Sequence, residues 1–225
     1  MERQPPNQWL DIHTHRGTAD TAIRAILNVS AYEAGEPGIG TDQWVSLGLH
    51  PWYFTAENVN AQLAVLESKA GHSRVKLIGE CGFDRLRGPD MRLQHRAFRS
   101  QIDLALTYGK PLIIHCVKAF DELLPYGGEY ASRLPMIVHG FNKSPQLARQ
   151  LIRHGFFLSF GSAIGRERSN ASHALQQIDA PFFLETDDSE ADIRAIYERA
   201  AFLRNVTVDE MKDAIFASWK KIRLI

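Results

Sequence analysis

Cysteine is nearly absent: Cys81 and Cys116 are the two in 225 residues. A disulfide framework is therefore excluded as the source of stability. Each cysteine follows a polar residue, Glu80 or His115, inside an apolar run. Extended-chain alternation turns it away from that neighbour, so both are expected to be buried packing groups. Excess charge is lacking too, with 26 Lys plus Arg against 26 Asp plus Glu. That balance excludes a general electrostatic grip on nucleic acid or anionic membrane, while leaving room for a local basic patch. No apolar run approaches the roughly 20 residues a membrane span requires. Met1 to Trp9 is polar, carries Pro5 and Pro6, and has no apolar signal core, so a cytoplasmic location is expected. Internal repeats, low-complexity tracts and linkers are also missing. One domain over residues 1–225 and a monomer are the corresponding expectations.

What the chain does contain is a rhythm. Short apolar runs alternate with longer amphipathic stretches, which points to βα units and a parallel sheet. Strands are expected at Trp9–His13, Arg24–Val29, Trp44–Leu49, Val75–Glu80, Pro111–Cys116, Met136–His139, Phe156–Phe160 and Phe182–Thr186. Eight is the number a closed (β/α)8 TIM barrel needs. Helices are expected at Ala56–Ala70, Met91–Tyr108, Ala119–Leu124, Ser144–His154, Ser169–Ile178, Glu190–Leu203 and Val208–Lys221. Thr207 and Glu210 have capping-box spacing at the last of these. The first two βα units look abbreviated: Arg16 to Ile23 barely accommodates a crossover helix, and Ala31–Gln43 reads as a Gly- and Pro-bearing loop.

The chemistry-bearing residues gather at strand ends. Asp11-Ile12-His13-Thr14-His15 closes the first apolar run. Two residues apart on an extended chain, the imidazoles of His13 and His15 point the same way and can reach one cation. Glu80 ends a run where an unpaired carboxylate would be costly to bury. His115, His139 and Asp187 stand at the ends of three further runs. In a closed barrel the carboxyl ends of the strands share one face, where active sites form. One cation takes three or four protein ligands, so these six suit two divalent cations with Glu80 between them. Imidazole-rich sites with carboxylates fit Zn or Mn and do not exclude Mg.

These residues resemble the TatD family of metal-dependent hydrolases, within the amidohydrolase-like barrels. The resemblance rests on His13-Thr14-His15, Gly48-Leu49-His50-Pro51, Ile78-Gly79-Glu80-Cys81-Gly82-Phe83-Asp84, Gln94 with Phe98 and Gln101, Pro111-Leu112-Ile113-Ile114-His115, Val138-His139-Gly140-Phe141 and Leu184-Glu185-Thr186-Asp187, in family order. It implies phosphodiester cleavage, as in a metal-dependent deoxyribonuclease. It further implies that His13, His15 and Asp187 hold one metal, that His115 and His139 hold the second, and that Glu80 bridges. His50 matches a histidine lining the family's cleft. Asp84 falls in a Gly-x-Asp segment with a packing, hydrogen-bonding or substrate role. The chain departs from the family pattern at Arg16-Gly17, at Val117, where an arginine is usual, and at Ser189, where a proline is common. The substrate walls are thus expected to be trimmed around an intact metal site.

The mechanism expected is attack by a metal-activated water, with Asp187 as general base and ligand. His50, Lys118, Arg16 and Lys143 are candidates for contacts to a phosphoester substrate, DNA being one possibility. Trp52, Tyr53 and Phe54 could stack on bases, although packing of their loop on the barrel is the favoured reading. Two alternatives stay open: a carboxylic ester, lactone or amide hydrolase of the amidohydrolase group, and a metal-binding barrel without catalysis.

Overall fold

The structure is a computed structural model that describes residues 8–32 and 43–225. In chain order it runs β1 (Trp9–Thr14), β2 (Ile23–Ser30), β3 (Trp44–Gly48), α1 (Val59–Ala70), β4 (Val75–Asp84), α2 (Met91–Tyr108), β5 (Leu112–Val117) and α3 (Phe120–Tyr130). It continues with β6 (Met136–Val138), α4 (Pro145–Arg153), β7 (Phe156–Phe160), a 3-10 turn (Ser162–Gly165), α5 (Asn170–Gln177), β8 (Phe182–Leu184), α6 (Ile193–Arg204) and α7 (Val208–Lys221). The eight strands pair in sequence order, each parallel to the next. A parallel pair needs a crossover on the sheet face, and from β3 onward the helices supply it while covering the apolar outer surface of the strands. The expected TIM barrel is the fold that forms.

Closure between β8 and β1 is thin. It consists of a single bridge, Thr14 with Asp187, in which Asp187 N–H donates to His13 O at 2.9 Å and His15 N–H to Asp187 O at 3.0 Å. Asp11 reinforces the seam by accepting from Thr186 Oγ1 at 2.6 Å and Thr186 N–H at 3.1 Å. Tyr197 of α6 braces the other side of β1, its hydroxyl donating to Leu10 O at 2.9 Å. No helix separates β1 from β2, as the short spacing predicts. The expected loop Ala31–Gln43 falls largely outside the described residues.

The buried apolar residues form one continuous cluster that includes Leu10, Ile12, Leu77, Ile113, Phe160, Ile215 and Trp219. Cys81 and Cys116 are free and buried within it, the packing role expected of them. A Cβ on Gly48 would stand 2.3 Å from the Cα of Gly79, so β3 and β4 approach closely only because glycines meet there.

Two elements run well past their expected ends, by four residues or more. Strand β4 continues past Glu80 to Asp84 because Cys81–Asp84 pair with Ile114–Val117 of β5, after a register shift between Ile78 and Cys81. Such a bulge re-aims side chains, and Glu80 faces the barrel mouth from mid-strand rather than from its end. Helix α3 continues past Leu124 to Tyr130 with Pro125 inside it. Burial of Leu123 and Tyr126 on one face, together with bonds from His95 to Tyr126 Oη at 2.7 Å and Glu122 Oε2 at 3.0 Å, outweighs the lost backbone bond.

Candidate metal centre

The carboxyl ends of the strands deliver a cluster of imidazoles around one carboxylate. Glu80 is buried. Its Oε1 lies 2.8 Å from His139 Nε2, 3.0 Å from His115 Nδ1 and 3.1 Å from His50 Nε2. Its Oε2 lies 3.5 Å from Nε2 of both His13 and His15. Asp187 Oδ1 completes the His13 and His15 side at 3.6 and 3.5 Å. All six residues expected as ligands thus converge, and His50 joins them.

Grouping by ligand atoms within 4.8 Å of one another, the described residues form four sets able to hold a cation: His13–His15–Asp187, His13–Glu80–His139, His50–Glu80–His115 and His139–Glu185–Asp187. The first is the set expected for one metal. The expected partners of the second are distributed differently, with His115 beside His50 and His139 beside His13, although both face the same oxygen of Glu80.

Burial raises the cost of ionising Glu80, but the charge of His139 and the contacts with the surrounding histidines outweigh it and hold the carboxyl well below the usual range. Burial alone would lower His139; Glu80 and Glu185 raise it well above the ordinary imidazole value. Asp187 is pushed up, mainly by burial. Asp11, almost wholly enclosed beneath the site, is pushed up to about 7 by burial. Closely set imidazoles and carboxylates are also the donor set of a cation site, where a bound cation would take the place of the imidazole protons. The fit is sharpest at His13, which is fully buried with no hydrogen-bond partner on either ring nitrogen. His139 Nδ1 is likewise buried without one. Orphaned imidazole nitrogens among carboxylates are what an absent divalent cation would satisfy.

His50 behaves differently. Trp52 N–H donates to its Nδ1 at 3.1 Å. Burial lowers its pKa, and a neutral ring that accepts at Nδ1 carries its proton on Nε2. That N–H points at Glu80, so His50 presents a donor to the cleft and not a lone pair.

Three further residues escaped sequence reasoning. Asn28 of β2 accepts Glu80 N–H at 3.1 Å and Ser46 Oγ–H at 3.0 Å, and its amide donates to Glu80 Oε2 at 3.4 Å. Glu185 is fully buried, accepts Gly140 N–H through Oε1, and stands 3.8 Å from His139 Nδ1. Ser30 lines the cleft. The available signals were a lone Asn inside an apolar strand and an acid two places before Asp187, on the same side by alternation.

The cleft above the cluster has a volume of about 270 Å³ and is bordered by Asn28, His50, Trp52, Tyr53 and Asp188 as well as His15, Glu80, His115, His139 and Asp187. Arg16 and Lys118 do not border it. Arg16 pairs with Glu190 at 3.4 Å and lines a separate cavity beside α6. Lys118 is exposed, and its carbonyl accepts from Arg85 at 2.7 Å. Phe54 is buried as packing, whereas Trp52 and Tyr53 remain at the mouth.

The family model for TatD-related DNases matches residues 18–222. The chain belongs to that family. The match begins just after His13 and His15 and takes in His50, Glu80, His115, His139 and Asp187. An uncharacterized metal-dependent hydrolase of Buchnera aphidicola subsp. Baizongia pistaciae is 30% identical over 71% of this chain and 62% of its own length. A protein of Cronobacter sakazakii named 3'-5' ssDNA/RNA exonuclease TatD is 29% identical over 64% of this chain and 59% of its own. The chain thus spans less than two thirds of the length of these TatD relatives. Among solved structures, the TatD homologue YjjV of Escherichia coli K12 superposes with a TM-score of 0.76 at 20% identity, covering 95% of this chain and 97% of that one. A hydrolase of the TatD family from Entamoeba histolytica gives 0.74 at 15% identity. Both share the TatD barrel. No helix among the described residues is long and apolar enough to cross a membrane.

Proposed function

We propose that this chain is a metal-dependent hydrolase that cleaves phosphodiester bonds in nucleic acid, working with two divalent cations drawn from Zn, Mn and Mg. The observation that carries this reading is His13: a wholly buried imidazole whose Nε2 faces Glu80 and Asp187 at 3.5 and 3.6 Å without a hydrogen bond, at the carboxyl end of the strands. His13, His15 and Asp187 would hold one cation, and Glu80 with His115 and His139 would face the other. Cations held there supply Lewis acidity toward a phosphoryl oxygen and make water nucleophilic at neutral pH. The chain's own residues supply the rest. Asp187 is half-buried at the cleft, 3.6 Å from His13 and 3.5 Å from His15, where a carboxylate oxygen would take the proton of the attacking water. His50 Nε2–H, which faces Glu80 at 3.1 Å, would turn to an anionic oxygen of the substrate once Glu80 is engaged by cations. Tyr53, exposed at the mouth, offers a face for a base. The names of the relatives support a nucleic-acid substrate, while the neutral overall charge points to recognition within the cleft rather than across a basic surface.

The test is to count cations in the purified protein by elemental analysis and to assay an activated phosphodiester and single-stranded oligonucleotides, with and without chelator. Cation-dependent turnover is expected. Tight cation binding with no turnover of phosphodiesters, and turnover of lactones instead, would replace this reading with the carboxylic ester one.

A further inference from the structure

One buried carboxylate near the cluster has been given no work. Asp84, at the end of β4, is 1% exposed. Its Oδ1 accepts the N–H groups of Leu86 at 2.7 Å and Arg87 at 3.0 Å. Its Oδ2 accepts Trp52 Nε1–H at 2.6 Å and lies 3.2 Å from His115 Nε2. Asp84 N–H is held in turn by Gln94 Oε1 at 2.8 Å. The carboxylate is thus fixed from every side and meets His115 on the nitrogen opposite the one that faces Glu80. Trp52 is fixed as well: the Arg87 guanidinium sits 3.5 Å from its ring centre, and His50 packs edge-on at 4.8 Å.

We propose that Asp84 and Trp52 are positioning residues for His115: Asp84 keeps the proton on Nε2 and so presents Nδ1, beside Glu80, as the cation-binding atom, and Trp52 holds Asp84 in place to do so. The proposal rests on the metal-centre reading above. An imidazole binds a cation through one nitrogen only when the other carries the proton, and a hydrogen-bonded carboxylate on that N–H fixes both tautomer and ring orientation. Asp84 has two oxygens and divides them: one serves the backbone, the other takes two side-chain donors. Replacing Oδ2 by an amide nitrogen inverts the pattern. Two N–H donors would then face Trp52 Nε1–H and His115 Nε2, which drives the His115 proton onto Nδ1 and blocks ligation there. Neither side chain touches Asp187, His13 or His15 through any of these bonds, so the effect belongs to one of the two cation positions.

The experiment titrates metal-free protein with Zn²⁺ against a chromophoric chelator, comparing wild type with Asp84→Asn and Trp52→Phe. Two cations per chain are expected for wild type. Asp84→Asn should weaken one position by about 10- to 100-fold and leave the other unchanged. Trp52→Phe, which keeps the ring but removes the donor, should weaken the same position by a smaller factor. Histidine ¹⁵N spectra of the zinc-loaded wild type should show His115 protonated at Nε2 and coordinated at Nδ1. Unchanged affinities in Asp84→Asn, equal weakening of both positions, or coordination of His115 through Nε2 would overturn the proposal. If Asp84→Asn does not fold by circular dichroism, Trp52→Phe decides alone: no selective weakening overturns it. Wild type that binds no zinc would instead remove the metal-centre reading itself.

Discussion

Asp187 and His50 stand on the same cleft but answer different questions. Asp187 has its charge opposed by burial and sits 3.5 Å from His15 and 3.6 Å from His13. Asp187→Asn keeps the shape and removes the basic oxygen, so turnover should fall by about 10²- to 10⁴-fold while circular dichroism stays that of wild type. Cleavage at the wild-type rate would end its role as base. His50 is close enough to Glu80 and His115 to pass for a ligand. The Trp52 N–H on its Nδ1 argues that it is a donor instead. His50→Ala should therefore bind as many cations as wild type by elemental analysis, and lose about 10- to 100-fold in turnover, the worth of one hydrogen bond to a charged group. A loss of one cation per chain would make it a ligand. At this scale the sequence was informative where chemistry and position coincide: His13, His15, Glu80, His115, His139 and Asp187 are costly groups at the ends of apolar runs. Asn28, inside β2, and Glu185, just past the end of β8, were illegible because only the finished barrel shows which way each faces. Arg16 and Lys118 neighbour the site in sequence but do not line the cleft, because adjacency along the chain does not by itself carry a side chain into it.

Among elements, α2 does more than cover the sheet. Its two buried glutamines reach the ends of neighbouring strands. Gln94 takes Asp84 N–H at 2.8 Å and donates to Asp84 O at 3.0 Å, and Gln101 takes Leu49 N–H at 2.8 Å and donates to Leu49 O at 3.3 Å. The β3–β4 ladder ends at the pair Leu47 with Ile78, and beyond it each glutamine amide stands in for the missing partner on that side. Leu49 immediately precedes His50. Gln101→Ala would leave a buried N–H and C=O unpaired, which costs about 1–3 kcal/mol. Urea denaturation should read this as a lower midpoint at unchanged slope. An unaltered midpoint would show that water or a backbone shift replaces the glutamine. Local signals served well for elements that local chemistry decides. The capping box of Thr207 and Glu210 forms as spaced, and α2 spans Met91–Tyr108 as expected. They failed for α3 and β4, whose ends are set by partners distant in sequence: Tyr126 against His95, and Cys81–Asp84 against β5.

Across the whole molecule, the candidate cation position and the weakest seam of the barrel coincide. Strands β4 and β5 share a long register, whereas β8 and β1 meet through the single Thr14–Asp187 bridge and the bonds of Asp11 to Thr186. His13 and His15 come from one side of that seam and Asp187 from the other. A cation shared by these three would therefore act as a clasp across it. Binding to the folded state alone stabilises by RT ln(1 + [L]/Kd), about 2.7 kcal/mol at a free concentration of 100 Kd. Chelation should lower the melting temperature accordingly, and the loss should be uneven. Amide hydrogen exchange should accelerate most at His15 and Asp187, whose N–H groups bridge the seam, and least in the β4–β5 ladder, which opens only with the whole fold. Uniform acceleration would mean that the cations stabilise the barrel without closing it. An unchanged melting temperature would mean that the His13–His15–Asp187 set is organised for something other than a metal. The eight-strand count needed only the apolar rhythm of the sequence, but this dependence of closure on the site could not be read there, because it arises where the first and last strands meet.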